Sequence, residues 1–123
     1  MSERVWLDYL GDIKHAAGLI MEFSANMSFA EFGKDDKTQF AVIRCFEIIG
    51  EATKRLPEEL LQSAPHIPWK VMAGMRDRLI HGYDSINIPL IWRTIQNDIP
   101  VLKSDLEVLC SEVGQGRSGA ASL

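Results

Sequence analysis

Ten residues, from Met75 to Asp84, combine two arginines, a histidine, a tyrosine and two aspartates. A histidine exchanges protons near neutral pH, and an arginine keeps its charge and can hold a phosphate through two parallel hydrogen bonds. Arg76 and His81 are therefore a pair suited to phosphodiester chemistry. No other stretch of the sequence brings a titratable base and fixed cations so close together.

Helical spacing alone does not bring Arg76 and His81 together. A helix advances about 100° per residue, so their directions would differ by about 140° on a straight helix. Asp77 is one turn from His81 and can contact it, whereas Tyr83 shares a face with Arg76. Two arrangements would join the pair: the helix loosens before Gly82, or a two-fold dimer adds the segment of a second subunit. A simpler interpretation is that these side chains only cap a helix end, where positive charge is favoured.

The residues outside this segment, which must position it, show mainly the apolar spacing of α-helices. Residues 5–27 and 38–56 carry apolar side chains at steps of three and four, which predicts two long amphipathic helices. A third helix is predicted from Pro68, and a fourth from about Pro89. No alternating strand pattern is present. We therefore predict an all-α fold, an antiparallel up-down helical bundle, over residues 1–113.

Smaller signals subdivide the bundle. Ser28 and Glu31 have the spacing of a capping box, which predicts a single short turn after the first helix. Pro57 ends the second helix, and Pro100 kinks or restarts the fourth. Residues 114–123 contain glycine, serine and alanine with little apolar bulk, so we predict a flexible C-terminal tail there.

A stripe of charged side chains follows the second predicted helix at steps of three and four, and comprises Arg44, Glu47, Glu51 and Arg55. Two interpretations remain open. The stripe is either a solvated ladder of opposite charges, or it places Arg44, Glu47 or Glu51 in a cleft near His81.

Composition limits the class of protein. A chain of 123 residues is expected to form one domain, and its formal net charge of −4 is unlike that of a general nucleic-acid binder, which is usually basic. Any contact with a nucleic acid must therefore use a local positive patch. Cys45 and Cys110 fall in apolar periodic segments, which predicts buried free thiols. No metal-ligand spacing, targeting segment or bilayer-length apolar run is present, so we expect a cytoplasmic protein without a membrane anchor.

The motif Arg76-x4-His81-x-Tyr83 resembles that of HEPN domains, in particular the HepT-like family, also called domain of unknown function 86. The short motif alone is a weak signal, whereas several blocks in one order are specific. The resemblance covers about residues 4 to 110 and includes further blocks, namely Ile48-Ile49-Gly50-Glu51-Ala52, Lys54-Arg55-Leu56-Pro57, Ile67-Pro68-Trp69, Ala73-Gly74-Met75-Arg76, and Trp92 with Asp98-Ile99-Pro100.

The resemblance implies an all-α homodimer that is a metal-independent endoribonuclease without a cofactor. It further implies that the protein is the toxin of a type VII toxin–antitoxin pair, with RNA as substrate and an MntA-type nucleotidyltransferase as antitoxin. Arg76 and His81 match the catalytic pair. Asp77, one turn from His81, and Glu51, in the charged stripe, are predicted from their positions as supporting residues. Tyr83 matches the tyrosine that the partner modifies with AMP, which silences the toxin.

Asp77 departs from the family pattern, because the residue after the motif arginine is often asparagine. Its negative charge would either orient and charge His81 or weaken the binding of a polyanion. Two rival interpretations follow. The protein is a catalytically weak HEPN module that docks a nucleotidyltransferase or a nucleotide, or it is a structural helical dimer with Arg76 and Tyr83 at the interface.

Overall fold

The computed structural model describes the backbone of residues 3–82 and 85–122, and the side chains of residues 5–82 and 85–114. This part of the chain is all-α and has no strand beyond an isolated bridge between Ile80 and Ile86. The all-α prediction is confirmed. The helices within it are α1 (Glu3–Phe23), α2 (Phe29–Lys34), α3 (Asp36–Lys54), α4 (Glu58–Ser63), α5 (Trp69–Ala73), α6 (Met75–Leu79), α7 (Ile88–Asn97) and α8 (Ile99–Ser122).

The core forms where α1 packs against α3 and α8. Leu10, Ile13 and Ile20 of α1 are fully buried there, because residues at steps of three and four face one side of a helix. Each such leucine or isoleucine contributes about 1.5–3 kcal/mol when it leaves water. The fully buried core side chains include Leu10, Ile13 and Ile20 of α1, Phe46 and Ile49 of α3, and Leu106 of α8.

The first helix ends earlier than the periodicity predicts. α1 stops at Phe23, and the Ser24 hydroxyl donates a hydrogen bond to the Ile20 carbonyl at 2.8 Å. Asn26 then adopts a φ of 62°, in the left-handed region that a continuing helix cannot use. The predicted extension of this helix to residue 27 is therefore wrong.

The short second helix starts as the sequence predicts. The Glu31 amide donates to the Ser28 hydroxyl at 3.1 Å, and the Ser28 amide donates to the Glu31 carboxylate at 2.9 Å. This reciprocal pair is the predicted capping box, and it satisfies two amides that the helix leaves unpaired. α3 then begins at Asp36, because the Asp35 carboxylate accepts a hydrogen bond from the Thr38 amide at 3.0 Å.

The third predicted helix is divided in two. Gly74 separates α5 from α6, with φ −95° and ψ 4°. The start of α5 is fixed by Trp69, whose buried indole N–H donates to the Ala64 carbonyl at 3.0 Å. The Pro65–Pro68 connector is thereby held against the first turn of α5.

The fourth predicted segment is also divided, between α7 and α8 at Asp98, next to the restart predicted at Pro100. α8 then continues to Ser122. The backbone of residues 114–122 is therefore helical, and the domain boundary after residue 113 stays a prediction. The flexibility of this tail stays a prediction.

Candidate active site at the end of α6

The chain leaves the helical path just before His81. α6 ends at Leu79, Ile80 is extended with φ −128° and ψ 116°, and Gly82 has a φ of 82°. A positive φ is inexpensive for glycine, which has no Cβ, so Gly82 suits a sharp change of direction. The helix thus ends before Gly82, which is the first of the two arrangements that the sequence left open, and the divergence of about 140° for a straight helix no longer applies.

Backbone hydrogen bonds close the loop that carries His81. The Asn87 amide donates to the Leu79 carbonyl at 2.9 Å, and the His81 amide donates to the Ser85 carbonyl at 2.6 Å. The loop thus returns to the end of α6 before α7 begins at Ile88. The His81 backbone is held from both sides, while its side chain is exposed.

Arg76 lies on α6 between two carboxylates. Its Nε is 3.6 Å from Oε2 of Glu47 on α3, and its Nη1 is 3.3 Å from Oδ1 of Asp77. The Arg76 side chain is 48% exposed, so its charge remains accessible to an anion from solvent. The contact with Glu47 joins α6 to α3 across the surface.

A close approach of α3 to α5 makes this contact possible. A Cβ built on Gly50 would lie 3.4 Å from the Ala73 carbonyl oxygen and 3.6 Å from the Met72 carbonyl oxygen. The two helices therefore touch at the backbone of α5, with room for at most a methyl group. Glu47 lies three residues before Gly50 on α3, and Arg76 three residues after Ala73, so the contact at Gly50 brings the two side chains together.

Asp77 forms its ion pair with Arg76 and not with His81, whose orientation was one of the two roles that the sequence left open for it. Its carboxylate contacts Arg76, and within the described residues no ion pair joins Asp77 to His81. The reason is geometric: the i to i+4 contact requires continuous helix, and the helix ends at Leu79. The side chain of His81 has no hydrogen bond or ion pair within the same part of the chain.

The charged stripe of α3 lines a groove of about 210 Å³, which α1 completes. Glu51, predicted as a supporting residue, lines it but pairs with Lys54 of its own helix, at 3.5 Å. The carboxylate beside Arg76 is instead Glu47. Neither Arg76 nor His81 lines this groove, so the predicted cleft near His81 stays a prediction. The groove is lined by Tyr9, Asp12, Arg44, Glu47, Ile48, Glu51, Ala52 and Arg55.

No local signal in the sequence separates Glu47 from Glu51, because the two are four residues apart on α3 and share a face. The packing partner of Gly50 could not be read from the sequence. Tyr83, predicted as the modified residue, lies outside the described residues.

The thiols are not candidates for catalysis. Cys45 is buried on α3 and Cys110 is half-buried on α8, and both are free, as predicted. Burial raises the pKa of the Cys45 thiol and of the Cys110 thiol. A raised pKa leaves less of the nucleophilic thiolate at neutral pH.

The described residues contain no group of three or more His, Cys, Asp and Glu side chains arranged to hold a metal ion. None of their helices combines the length and the hydropathy that crossing a bilayer requires.

The described fold is all-α, as expected for HEPN domains, and it leaves Arg76 and His81 exposed near the end of α6. A family model described as "Ribonuclease HepT-like" matches residues 13–109. The chain belongs to this HepT-like ribonuclease family.

Relatives from archaea and bacteria are similar over most of their length. "Probable ribonuclease HepT" of Thermococcus cleftensis is 50% identical over 102 residues, which cover 83% of this chain and 93% of that protein. "Putative RNase MJ0127" of Methanocaldococcus jannaschii is 44% identical over 105 residues, 85% of this chain and 87% of the relative. "Putative RNase TTE0752" of Caldanaerobacter subterraneus is 42% identical over 105 residues, 85% and 94% of the two chains. No solved structure matches the chain.

Proposed function

We propose that this protein is a metal-independent endoribonuclease that uses the 2′-hydroxyl of RNA as the nucleophile. Arg76 and His81 are its catalytic residues. The observation that carries the proposal is the end of α6 at Leu79, which releases His81 from the helical register of Arg76 while both side chains stay exposed. Membership of a ribonuclease family supports the same reaction.

The reaction requires one base and one acid. His81 removes the proton from the 2′-hydroxyl, and the oxygen attacks the adjacent phosphorus as the bond to the 5′-oxygen breaks. An acid then protonates the leaving 5′-oxygen, so the products carry a 2′,3′-cyclic phosphate and a 5′-hydroxyl. Proton transfer by a positioned histidine contributes about 10²- to 10⁴-fold to the rate.

Arg76 stabilises the negative charge that builds on the non-bridging phosphate oxygens. A guanidinium keeps its charge and offers donors in a planar fork that matches two phosphate oxygens. Loss of one such donor from a catalytic site costs about 10²- to 10³-fold in kcat. Arg76→Ala should therefore lose activity without losing the fold, because its ion pairs are exposed to solvent.

A homodimer completes the site in this proposal. One subunit supplies one His81, whereas the reaction needs an acid as well as a base. A two-fold axis beside α6 would bring the partner's copy of the same segment to the same phosphate. Mixed dimers test this point. A dimer of one His81→Ala subunit and one wild-type subunit should have far less than half the activity of the wild-type dimer.

The decisive experiment uses the purified protein and a short RNA in the presence of a chelator. We expect cleavage that leaves a 2′,3′-cyclic phosphate, no cleavage of the all-2′-deoxy strand, and loss of cleavage in His81→Ala. Thermal unfolding of His81→Ala should match that of wild type. Cleavage of the deoxy strand would contradict the use of the 2′-hydroxyl, and full activity of His81→Ala would remove the histidine from the mechanism.

We further propose that the protein is a toxin silenced by an MntA-type nucleotidyltransferase, which transfers AMP to Tyr83. Tyr83 is two residues from His81 in the sequence. An AMP on its phenol would add bulk and negative charge where the RNA phosphate must bind. Tyr83→Phe should remain toxic to growing cells when the partner is co-expressed. If the partner still silences this variant by AMP transfer, Tyr83 is not the modified residue.

A second candidate function is a HEPN module that binds a nucleotide or a nucleotidyltransferase and does not cleave RNA. The observation that favours it is the pair of carboxylates on Arg76, since Glu47 and Asp77 together outweigh its single positive charge. This function predicts a folded dimer that binds the nucleotidyltransferase and leaves RNA intact under all conditions of the cleavage assay.

A further inference from the structure

We propose that the two carboxylates on Arg76 have different roles. Glu47 is a positioning residue, and Asp77 is a placeholder, which means a carboxylate that occupies Nη1 of Arg76 until an RNA phosphate displaces it. The inference rests on the proposed ribonuclease function and names residues that act through Arg76. It follows from the atoms that each carboxylate contacts, from their exposure and from the elements that carry them.

The two contacts use different nitrogens of the guanidinium. Oε2 of Glu47 lies 3.6 Å from Nε of Arg76, whereas Oδ1 of Asp77 lies 3.3 Å from Nη1. A guanidinium carries its five N–H groups around a planar fork, so an anion at Nε still leaves hydrogens on both terminal nitrogens. Glu47 and a phosphate can therefore bind Arg76 together, whereas Asp77 and a phosphate compete for Nη1.

Exposure separates the two carboxylates in the same way. The Glu47 side chain is 35% exposed and that of Asp77 is 76% exposed. Glu47 stands on α3, a helix of 19 residues whose other face fills the core. Asp77 is adjacent to Arg76 in a helix of five residues, and its well-solvated side chain can rotate away at little cost. The held carboxylate is thus Glu47, and the replaceable one is Asp77.

The energies agree with roles in positioning rather than in stability. Ion pairs with this much exposure contribute little to folding, because water screens the charges. Neither pair therefore explains the stability of the fold. Orientation is more sensitive, since a displacement of a catalytic group by about 1 Å can cost about 10²-fold in rate.

The two roles predict opposite kinetic effects. Glu47→Gln keeps the size of the side chain but removes the charge that holds Nε, so kcat should fall about tenfold with little change in KM. Asp77→Asn removes the competing anion, so KM should fall about threefold with kcat within about twofold of wild type. If both substitutions change only KM, Glu47 is a second placeholder and the assignment is overturned.

A double-substitution cycle shows whether Glu47 acts through Arg76. Lysine has no Nε–H, so in the Arg76→Lys background Glu47→Gln should cost less than about twofold. A tenfold loss in both backgrounds would show that Glu47 acts elsewhere. The matched control is Glu107→Gln, which breaks an exposed pair with Lys103 on α8, 2.7 Å long, and should leave kcat and KM unchanged.

A measurement without RNA separates this inference from the proposed function. The Nε–Hε signal of Arg76, assigned by its loss in Arg76→Lys, should be shifted in wild type by the Glu47 carboxylate, which lies 3.6 Å from Nε. Glu47→Gln should remove that shift, whereas Asp77→Asn and Glu107→Gln should preserve it.

The outcomes of the two experiments are distinguishable. If wild type does not cleave RNA but the Arg76 signal depends on Glu47, the ribonuclease proposal fails and the positioning of Arg76 by Glu47 survives. If RNA is cleaved and the signal is identical in Glu47→Gln, the positioning role is overturned. Equal thermal unfolding of wild type and Glu47→Gln shows that a loss of rate is not a loss of fold.

Discussion

Replacing Gly50 tests how closely α3 must approach α5 for Glu47 to reach Arg76. The added Cβ of alanine would lie 3.4 Å from the Ala73 carbonyl oxygen, which is ordinary contact. Alanine is also the better helix former, by about 1 kcal/mol in an exposed helix interior. Gly50→Ala should therefore raise the free energy of unfolding by about 0–1 kcal/mol and leave the rate of RNA cleavage near that of wild type.

Leucine at the same position should lower both the stability and the cleavage rate, and the two losses can be measured separately. Its branch carbons extend beyond the Cβ into the space between α3 and α5, and overpacking of this kind costs about 1–3 kcal/mol. If α3 shifts by about 1 Å to accommodate them, Glu47 moves from Arg76 and the cleavage rate should fall by up to about 100-fold. Urea unfolding gives the stability, and single-turnover cleavage by protein that is still folded gives the rate.

Gly11 provides the control for this series. It lies in α1, and a Cβ built on it would have no other atom within 4 Å. Gly11→Leu should therefore leave the rate of cleavage unchanged. Two results would refute the reasoning: a Gly50→Leu variant that cleaves RNA at the wild-type rate, or a Gly50→Ala variant that is destabilised by more than about 1 kcal/mol.

Three other predictions follow from the caps and the thiols. Ser28→Ala should lower the free energy of unfolding by about 1 kcal/mol in urea titrations, because the capping box is lost. Hydrogen bonds from Thr38, first from its backbone amide and then from its side chain, hold the pKa of the Asp35 carboxyl below its ordinary value. Its contribution to stability is therefore present above about pH 4 and is lost as the pH falls through the lowered pKa, so Asp35→Ala should flatten the acid limb of stability against pH. Because burial raises the pKa of both thiols, Cys110 should react slowly with a thiol reagent at neutral pH and faster as the pH rises, whereas Cys45 should react after unfolding.

Each of these has a contrary result. Ser28→Thr keeps an oxygen at the cap, so a loss of stability as large as that of Ser28→Ala would show that the cap is not the cause. An acid limb that is unchanged in Asp35→Ala would show that other carboxylates determine it. Rapid labelling of Cys45 in the folded protein would contradict its burial on α3.

The long helices were predictable because their core contacts follow from local periodicity. Ile13 and Ile20 of α1 are seven residues apart, hence on one face, and both are fully buried. The break at Gly74 was not predicted, since the apolar residues on either side of it keep helical spacing and tolerate one irregular residue. The end of α1 was misplaced for a related reason: Met27 continues the apolar pattern, but the backbone turns at Asn26.

The types of residue in the candidate site were predictable, but the side chains that contact them were not. Arg76 and His81 stand out because few short stretches bring a titratable base so close to fixed positive charges. Glu47 was grouped with its neighbours on α3, because nothing local distinguishes it from Glu51. The contact that distinguishes it joins residues 29 positions apart, and it depends on how α3 meets α5 at Gly50. The dimer and the modification of Tyr83 stay predictions.

Because α3 carries both core residues and Glu47, substitutions in the core can alter the candidate site. Phe46 and Glu47 are adjacent in the sequence, yet one is fully buried in the core and the other contacts Arg76 at the surface. A conservative exchange of the aromatic ring would tilt the helix slightly and move the carboxylate with it. Genetic selection for attenuated or hyperactive forms should therefore recover substitutions at interior positions of α3 as often as at surface positions. The rate of cleavage can then change while every residue that faces the RNA is retained.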